Sequence, residues 1–208
     1  MSTDRDTVRS YDAVAAEYAA EAAAMPEWVA AEIDAFVTGL GGSGRVLEIG
    51  SGGGRDAFAL EERGLSVRRT DIAQGFVDLL RKGGYDADQL DPLNDNLADP
   101  EHPGAPYDAV WACACLIHVA RADFGTLLGR LAAATRTDGR LHVSVREGDG
   151  ETISTEGSAA APRRYVETYW REPALRSAVT DAGWIVDEIR RCIGRPGDEW
   201  LSVRAHRA

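Results

Sequence analysis

The sequence predicts an α/β fold: a doubly wound, seven-stranded, mostly parallel sheet with an antiparallel C-terminal strand. Three observations predict it. Residues 46–56 pass from an apolar run through alternate glycines straight into a helical pattern. Short apolar runs then alternate with helical periods to about residue 182, the signature of parallel strands joined by helices. Finally, runs at 184–191 and 199–207 flank a short Gly/Pro turn, and strands joined so closely must run antiparallel.

Taken in order, residues 5–24 carry Val8, Tyr11, Val14, Ala15 and Tyr18 at helical spacing. Tyr11 and Tyr18 are seven apart and share one face, either covering the edge of the core or forming a lid over a ligand. Pro26 suits the first turn of a second helix reaching about Thr38, and a glycine cluster at 39–44 ends it. Val46, Leu47 and Ile49 form a strand buried on both faces. A helix over 55–63 stops at Gly64, and 65–70 form a second strand with an unusually polar centre, Arg68-Arg69. A helix over 74–82, a weak strand over 85–90 and a proline-rich loop to Pro106 follow. Residues 107–119 hold a fourth strand and its exit loop, then comes a helix over 121–136. Asp138-Gly139 turns into a fifth strand, 140–145, where His142 reads as a core or interlayer histidine. The span 147–162 has loop composition, and a stretch of that length inside a domain is a functional lid or disordered. A helix over 173–182 precedes the closing hairpin.

The chemistry centres on the first strand-turn-helix. Glycines at 50, 52 and 54 permit φ > 0 and let a ligand lie against backbone, with Glu48 as the first side chain and free N–H groups beyond. Asp71 ends the second strand, where an acid can accept from ribose hydroxyls or cap the next helix; the glycine turn favours the ribose. His118 lies just past the fourth strand, where parallel strands border a ligand crevice, and is a candidate general base, helix cap or loop anchor. Arg146 and Glu147 emerge at the same edge. Arg163, Arg164, Tyr165, Tyr169 and Trp170 form an aromatic and basic cluster, either a substrate wall or a surface helix with snorkelling arginines.

Composition prunes the alternatives. A chain of 208 residues, 44% hydrophobic, is one domain: N-terminal lid helices over 1–39 and a core over 40–208. A net charge of −11 disfavours a nucleic-acid partner and suits a neutral or cationic small molecule. No signal peptide or membrane-spanning run is visible, so the expected location is cytoplasmic. Cys113, Cys115 and His118 give Cys-x-Cys-x-x-His, but a structural zinc wants four ligands and no supporting spacing exists; the cysteines read as small buried residues of a central strand, and no metal is expected. The one lysine, Lys82, precedes Gly83, which excludes a P-loop and leaves no Tyr-x-x-x-Lys. The pattern specifies no oligomeric state.

The strand-one Glu-x-Gly-x-Gly-x-Gly, the acid after strand two and the terminal β-hairpin together resemble the class I S-adenosylmethionine-dependent methyltransferases of small-molecule type, from about Tyr11 to the end. The resemblance implies a Rossmann-like methyltransferase fold and S-adenosylmethionine as cofactor. It implies that Glu48, Gly50, Gly52 and Gly54 surround the methionine moiety and that Asp71 binds the ribose, with Ile72 against adenine and Asp91 near the adenine amino group. Ala112 and Cys113 would form the floor, the Tyr11/Tyr18 helix the lid, and His118 the base in those members that use one. The acceptor would be a small molecule held by the N-terminal helix, His118 and the 147–170 segment, including Arg146, Tyr165 and Tyr169. Two other readings stand beside it. Residues 52–57 also fit the Gly-x-Gly-x-x-Ala of nicotinamide-dependent oxidoreductases. A methyltransferase-like subunit that binds ligand without turnover is the other.

Overall fold

Apolar, β-branched runs separated by glycine turns leave the chain little choice but to stack parallel strands under helices. The computed structural model describes residues 4–158, 161–194 and 197–208 and shows that arrangement. Two helices come first, α1 (Arg5–Glu21) and α2 (Glu27–Gly39). The alternating half follows as β1 (Arg45–Ile49), α3 (Arg55–Glu61), β2 (Ser66–Asp71), α4 (Gln74–Lys82), β3 (Asp88–Gln89), β4 (Tyr107–Ala112), α5 (Arg121–Ala134) and β5 (Thr135–Glu147). A second half adds β6 (Glu151–Ser158), β7 (Ala161–Trp170), α6 (Glu172–Asp181), β8 (Trp184–Ile193) and β9 (Glu199–Arg207). The strand order is β3-β2-β1-β4-β5-β7-β6, with β9 pairing both β5 and β8. β1, β2, β3, β4 and β5 are mutually parallel, and β9 runs antiparallel to β5 and β8.

Among the described residues the sheet has nine strands, not the expected seven, and the difference lies in 147–170. In place of a long loop followed by a substrate wall or surface helix, β6 and β7 pair antiparallel from Glu151↔Thr168 to Ser158↔Ala161. Thr152, Ile153, Thr155, Tyr165, Val166 and Thr168 supply β-branched and aromatic side chains to this hairpin, and the small residues between them disguise its period. β7 then pairs parallel with β5 at Arg146↔Tyr169 and Glu147↔Trp170. That pairing follows from strand length: β4 stops opposite Val143, which leaves one edge of β5 open beyond it, while β9 occupies the other. β7 therefore sits over the C-terminal end of β4, at the rim where a crevice forms.

Smaller departures have local causes. Asp138-Gly139 is an irregularity inside β5, not a turn before it; Asp138 has φ +58°, and the β4/β5 register shifts beside it. β3 is only two residues long. The polar centre of β2 is satisfied by its neighbours. Arg68 donates from Nε to Asp88 and from Nη1 to Tyr107 Oη and the Leu97 and Ala98 carbonyls, while Arg69 pairs with Glu61 and lies over Phe58 and Tyr85. The Arg195-Pro196 part of the expected turn lies outside the described residues.

The core under the sheet includes Leu47, Val110, Phe124, Leu128, Leu141 and Trp184, all under 2% exposed. On the opposite face α2 packs Val29, Ile33 and Phe36 against Val46, Leu60 and Trp111. His142 lies there, as its alternation in β5 foretold, stacked on Trp111 at 3.9 Å and 16°. Neither ring nitrogen has a hydrogen-bond partner among the described residues. Burial holds its pKa down to about 3, so the ring is neutral in the native state. A folded value below the unfolded 6.5 contributes stability above that pH and loses it as pH falls toward 3. His142→Phe keeps the aromatic stack and removes two unpaired polar atoms. It is expected to stabilise the fold by about 1 kcal/mol after the slightly larger ring is allowed for, read as a higher melting temperature at pH 7; a lower one would mean the nitrogens are satisfied.

Candidate active site

The glycine turn is knitted to β2 before any ligand is considered. Ser51 N donates to the Thr70 carbonyl at 2.9 Å, Thr70 N to Ser51 Oγ at 3.0 Å, and Thr70 Oγ1 to the Glu48 carbonyl at 2.6 Å. Ser51 Oγ donates in turn to Glu48 Oε2. Gly50 has φ +71°, and a Cβ there would run into that of Cys115, so both backbone shape and space demand glycine. A Cβ on Gly52, φ +52°, would meet nothing within 4 Å and would project into open space beside the loop. Gly54 serves packing instead, since a Cβ there would strike Leu80 and Phe58.

Asp71 joins the turn to the next helix. Its Oδ2 accepts from Gly52 N and its Oδ1 from Ala73 N, both at 2.9 Å, so one carboxylate orders the glycine loop and the entry to α4. Burial raises its pKa from 3.8 to about 6 against these two stabilising bonds. Glu48, 2% exposed, is pushed from 4.5 to about 8, by burial first and then by the nearby Asp56.

A cavity of about 700 Å³ opens above these residues. Of the candidates named from sequence, Tyr11, Tyr18, Glu48, Gly50, Gly52, Asp71, Ile72, Asp91, Cys113 and His118 line it. Asp91 anchors its own loop by accepting from Leu93 N and Asn94 Nδ2. Cys113 and Cys115 both lie just past the end of β4, half-buried in the cavity wall, and not within the strand as the sequence suggested. Among the described residues no group of three or more His, Cys, Asp or Glu is arranged to hold a metal ion.

Gly54, Ala112, Arg146, Tyr165 and Tyr169 fall outside that lining. Ala112 is fully buried at the end of β4. Arg146 is held by Asp198 at 2.6 Å and lies over Trp200, and Tyr169 Oη donates to Glu167. Tyr165 stands one layer back, its ring 5.0 Å from that of Tyr11.

α1 covers the cavity. The helix is kinked at Val14, φ −130°, between Tyr11 and Tyr18, whose rings meet edge to face at 5.3 Å over Phe76. Its outer half is clasped by β7: Thr7 Oγ1 accepts from Val166 N, and Ser10 Oγ accepts from Arg164 N and donates to the Arg164 carbonyl. Burial raises the phenol pKa of Tyr11 and Tyr18, so both hydroxyls are neutral donors.

His118 ends a short 3-10 turn, Leu116–His118, that β7 fixes in place. Its Nδ1 lies 2.6 Å from the Val166 carbonyl and its Nε2 2.8 Å from Tyr11 Oη. A carbonyl only accepts, so Nδ1 carries the proton and Nε2 accepts from Tyr11. Burial lowers the pKa of the ring, which is therefore neutral at pH 7. The hairpin that fixes this tautomer was hidden in the sequence, so the Tyr11–His118 contact had no signal there.

Residues 46–139, from β1 to the irregularity in β5, match a family model described as a methyltransferase domain. That is the half of the sheet that builds the cavity floor. The chain carries a methyltransferase domain with the class I fold of S-adenosylmethionine-dependent methyltransferases. No curated protein sequence matches it. Among solved structures, the 1,6-didemethyltoxoflavin-N1-methyltransferase of Burkholderia thailandensis, with 1,6-didemethyltoxoflavin and S-adenosylhomocysteine bound, is 25% identical, covering 97% of this chain and 88% of that one at a TM-score of 0.68. DhpI in its SAM-HEP complex is 19% identical, with all of both chains covered and a TM-score of 0.75. The magnesium protoporphyrin IX methyltransferase of Synechocystis PCC 6803, with SAM bound, is 17% identical over 100% of this chain and 99% of that one, TM-score 0.69. The last two bear on the fold alone. Nothing favours the nicotinamide reading of the glycine turn. S-adenosylmethionine is the cofactor of this methyltransferase, and the open space over Gly52, the buried acids and the aromatic cover suit its adenosine and amino-acid parts.

Proposed function

We propose that this methyltransferase acts on a small-molecule acceptor bearing an N–H or O–H group, and that Tyr11 and His118 remove its proton. The observation that carries the reading is the hydrogen-bonded chain Tyr11 Oη–His118 Nε2, His118 Nδ1–Val166 O at the cavity wall. Both imidazole nitrogens are engaged, so His118 meets the acceptor through Tyr11. As the acceptor proton moves to Tyr11 Oη, the phenolic proton moves to His118 Nε2, and the Val166 carbonyl holds the resulting imidazolium. The cofactor supplies an activated methyl group, so what the chain must add is orientation and exclusion of water. α1 and α2 act as a lid on one domain, and the tyrosine faces exclude water. Asp71 receives the ribose, Ile72 and Asp91 flank adenine, and Glu48 with Gly50 and Gly52 faces the methionine moiety. Gly54 and Ala112 support that floor from behind. Arg146, Tyr165 and Tyr169 act on the acceptor only indirectly, by fixing β7 and Tyr11. A small acceptor fits the 700 Å³ cavity under a clasped lid, and the −11 charge suits a cytoplasmic protein that avoids nucleic acid. No helix among the described residues is long and apolar enough to cross a membrane.

The test is release of S-adenosylhomocysteine with a panel of small N–H and O–H acceptors, run beside RNA and protein. Turnover only with a macromolecule would refute the acceptor class. Calorimetry with NADH serves as control, with no binding expected.

A further inference from the structure

We infer that Glu167 is the counter-charge of the Tyr11–His118 relay, the carboxylate that holds the imidazolium formed when His118 takes up a proton. The inference rests on the relay proposed above and adds a third member to it, a positioning residue. The acceptor proton goes to Tyr11 Oη as the phenolic proton goes to His118 Nε2, so the phenol ends neutral and the new positive charge lies on the buried imidazole. The Val166 carbonyl offers that charge a dipole and no counter-ion. In a site shielded from water, an uncompensated charge is costly.

Glu167 lies where that charge forms. Side chains alternate across a strand, so Tyr165, Glu167 and Tyr169 share one face of β7. On that face the Tyr165 ring stands 5.0 Å from the ring of Tyr11 and 6.4 Å from that of His118. The carbonyl bonded to His118 Nδ1 belongs to Val166, between Tyr165 and Glu167. Tyr169 Oη donates to Glu167 Oε2 at 3.1 Å and holds the carboxylate. Arg146 on β5 pairs with Glu167 only loosely, at 3.8 Å, while its Nη1 is drawn to Asp198 at 2.6 Å. Much of the Glu167 charge is therefore left to act on the ring. The charged groups facing His118 are Asp4 from α1, Glu167 from β7 and Arg146 from β5, with the Tyr11 and Tyr165 rings packed against it. Burial lowers the pKa of the ring; the Val166 carbonyl and then Glu167 oppose it, Arg146 reinforces it, and Asp4 opposes it least. Asp4 spends Oδ1 on the cap of α1, accepting from Thr7 N. Burial, the neighbouring phenols and Glu167 together keep Tyr11 Oη protonated, ready to pass its proton on.

The test reads the NMR titration of His118 with S-adenosylhomocysteine bound, its signal assigned by loss in His118→Ala, beside the pH profile of turnover on a small N–H or O–H acceptor. Glu167→Gln keeps an acceptor for Tyr169 and removes the charge. It should lower the pKa of His118 and carry the acid limb of kcat to lower pH. At pH 7 it should reduce kcat by about 5- to 50-fold, part of what loss of a positioned acid-base group costs. The Kd of S-adenosylhomocysteine should change by less than about threefold. Glu167→Asp keeps the charge and should recover part of the loss. Arg146→Gln removes the opposing cation and should move the titration and the acid limb the other way, a sign that loosened packing of β7 does not produce. An unmoved His118 titration in Glu167→Gln, or shifts of the same sign in Glu167→Gln and Arg146→Gln, would overturn the inference and leave the relay standing. If the titration shifted as expected but kcat ignored both Glu167→Gln and His118→Ala, the relay reading would fall and this inference with it.

Discussion

Asp71→Ala is expected to weaken S-adenosylhomocysteine binding by about 1 to 3 kcal/mol, roughly 5- to 150-fold in Kd. The loss has two sources. One is the proposed pair of ribose contacts. The other is the bond from Gly52 N, which holds the glycine turn in its binding shape. Asp71→Asn separates them, because its single carbonyl oxygen can still accept from Gly52 or Ala73 but not from both and a sugar as well. An intermediate loss is therefore expected for Asn, and unchanged affinity in both variants would remove Asp71 from the site. The raised pKa values add a pH signature. With folded values above the unfolded ones, each acid contributes stability that is complete below 3.8 for Asp71 and 4.5 for Glu48, and is lost as pH rises through about 6 and about 8. A ligand that donates hydrogen bonds or positive charge to these carboxylates draws the protons off. Binding at pH 7 should then release protons, seen as a calorimetric heat that depends on the ionisation enthalpy of the buffer, and affinity should rise between about pH 6 and 8.

How much of this was legible from sequence depends on how local each signal is. The glycine turn, Asp71 and the closing hairpin were readable because strand-turn-helix chemistry is written in consecutive residues: Gly50 has no room for a Cβ and needs φ > 0. The alternation of β5 placed His142 in the core for the same reason. The β6–β7 hairpin was not readable. Its pairing is non-local at the rim of β5, and Gly, Ser and Ala diluted the strand period between Ile153 and Tyr165. With the hairpin went the partners that decide the site. Val166, which sets the tautomer of His118, and Arg164, which clasps Ser10, belong to a strand that composition reads as loop or surface helix. Tyr165 and Tyr169 fall outside the cavity lining, because side-chain direction on a strand depends on register, and register came only with β5.

Tyr11→Phe separates the proton relay from the lid more cleanly than any change at the histidine. The ring keeps its edge contacts with Tyr18, Tyr165 and Phe76, so the cover over the cavity persists. Only the oxygen that bonds His118 Nε2 is lost. For an acceptor that must shed a proton, kcat is expected to fall by about 10² to 10⁴, the range for losing a positioned acid-base group, while the Kd of S-adenosylhomocysteine changes by less than about threefold, within the few tenths of a kcal/mol typical of a peripheral hydroxyl. His118→Ala should match it in kcat, and the double variant should be no worse than either, because one relay cannot be broken twice. The wild-type pH profile supplies the sign. Burial holds His118 below its usual 6.5, so the relay stays competent through neutral pH and loses activity only when acid protonates Nε2. That acid limb should vanish in Tyr11→Phe. If kcat stays at the wild-type value in both single variants, the acceptor loses no proton to this pair, and Tyr11 and His118 serve only to latch α1 against the sheet.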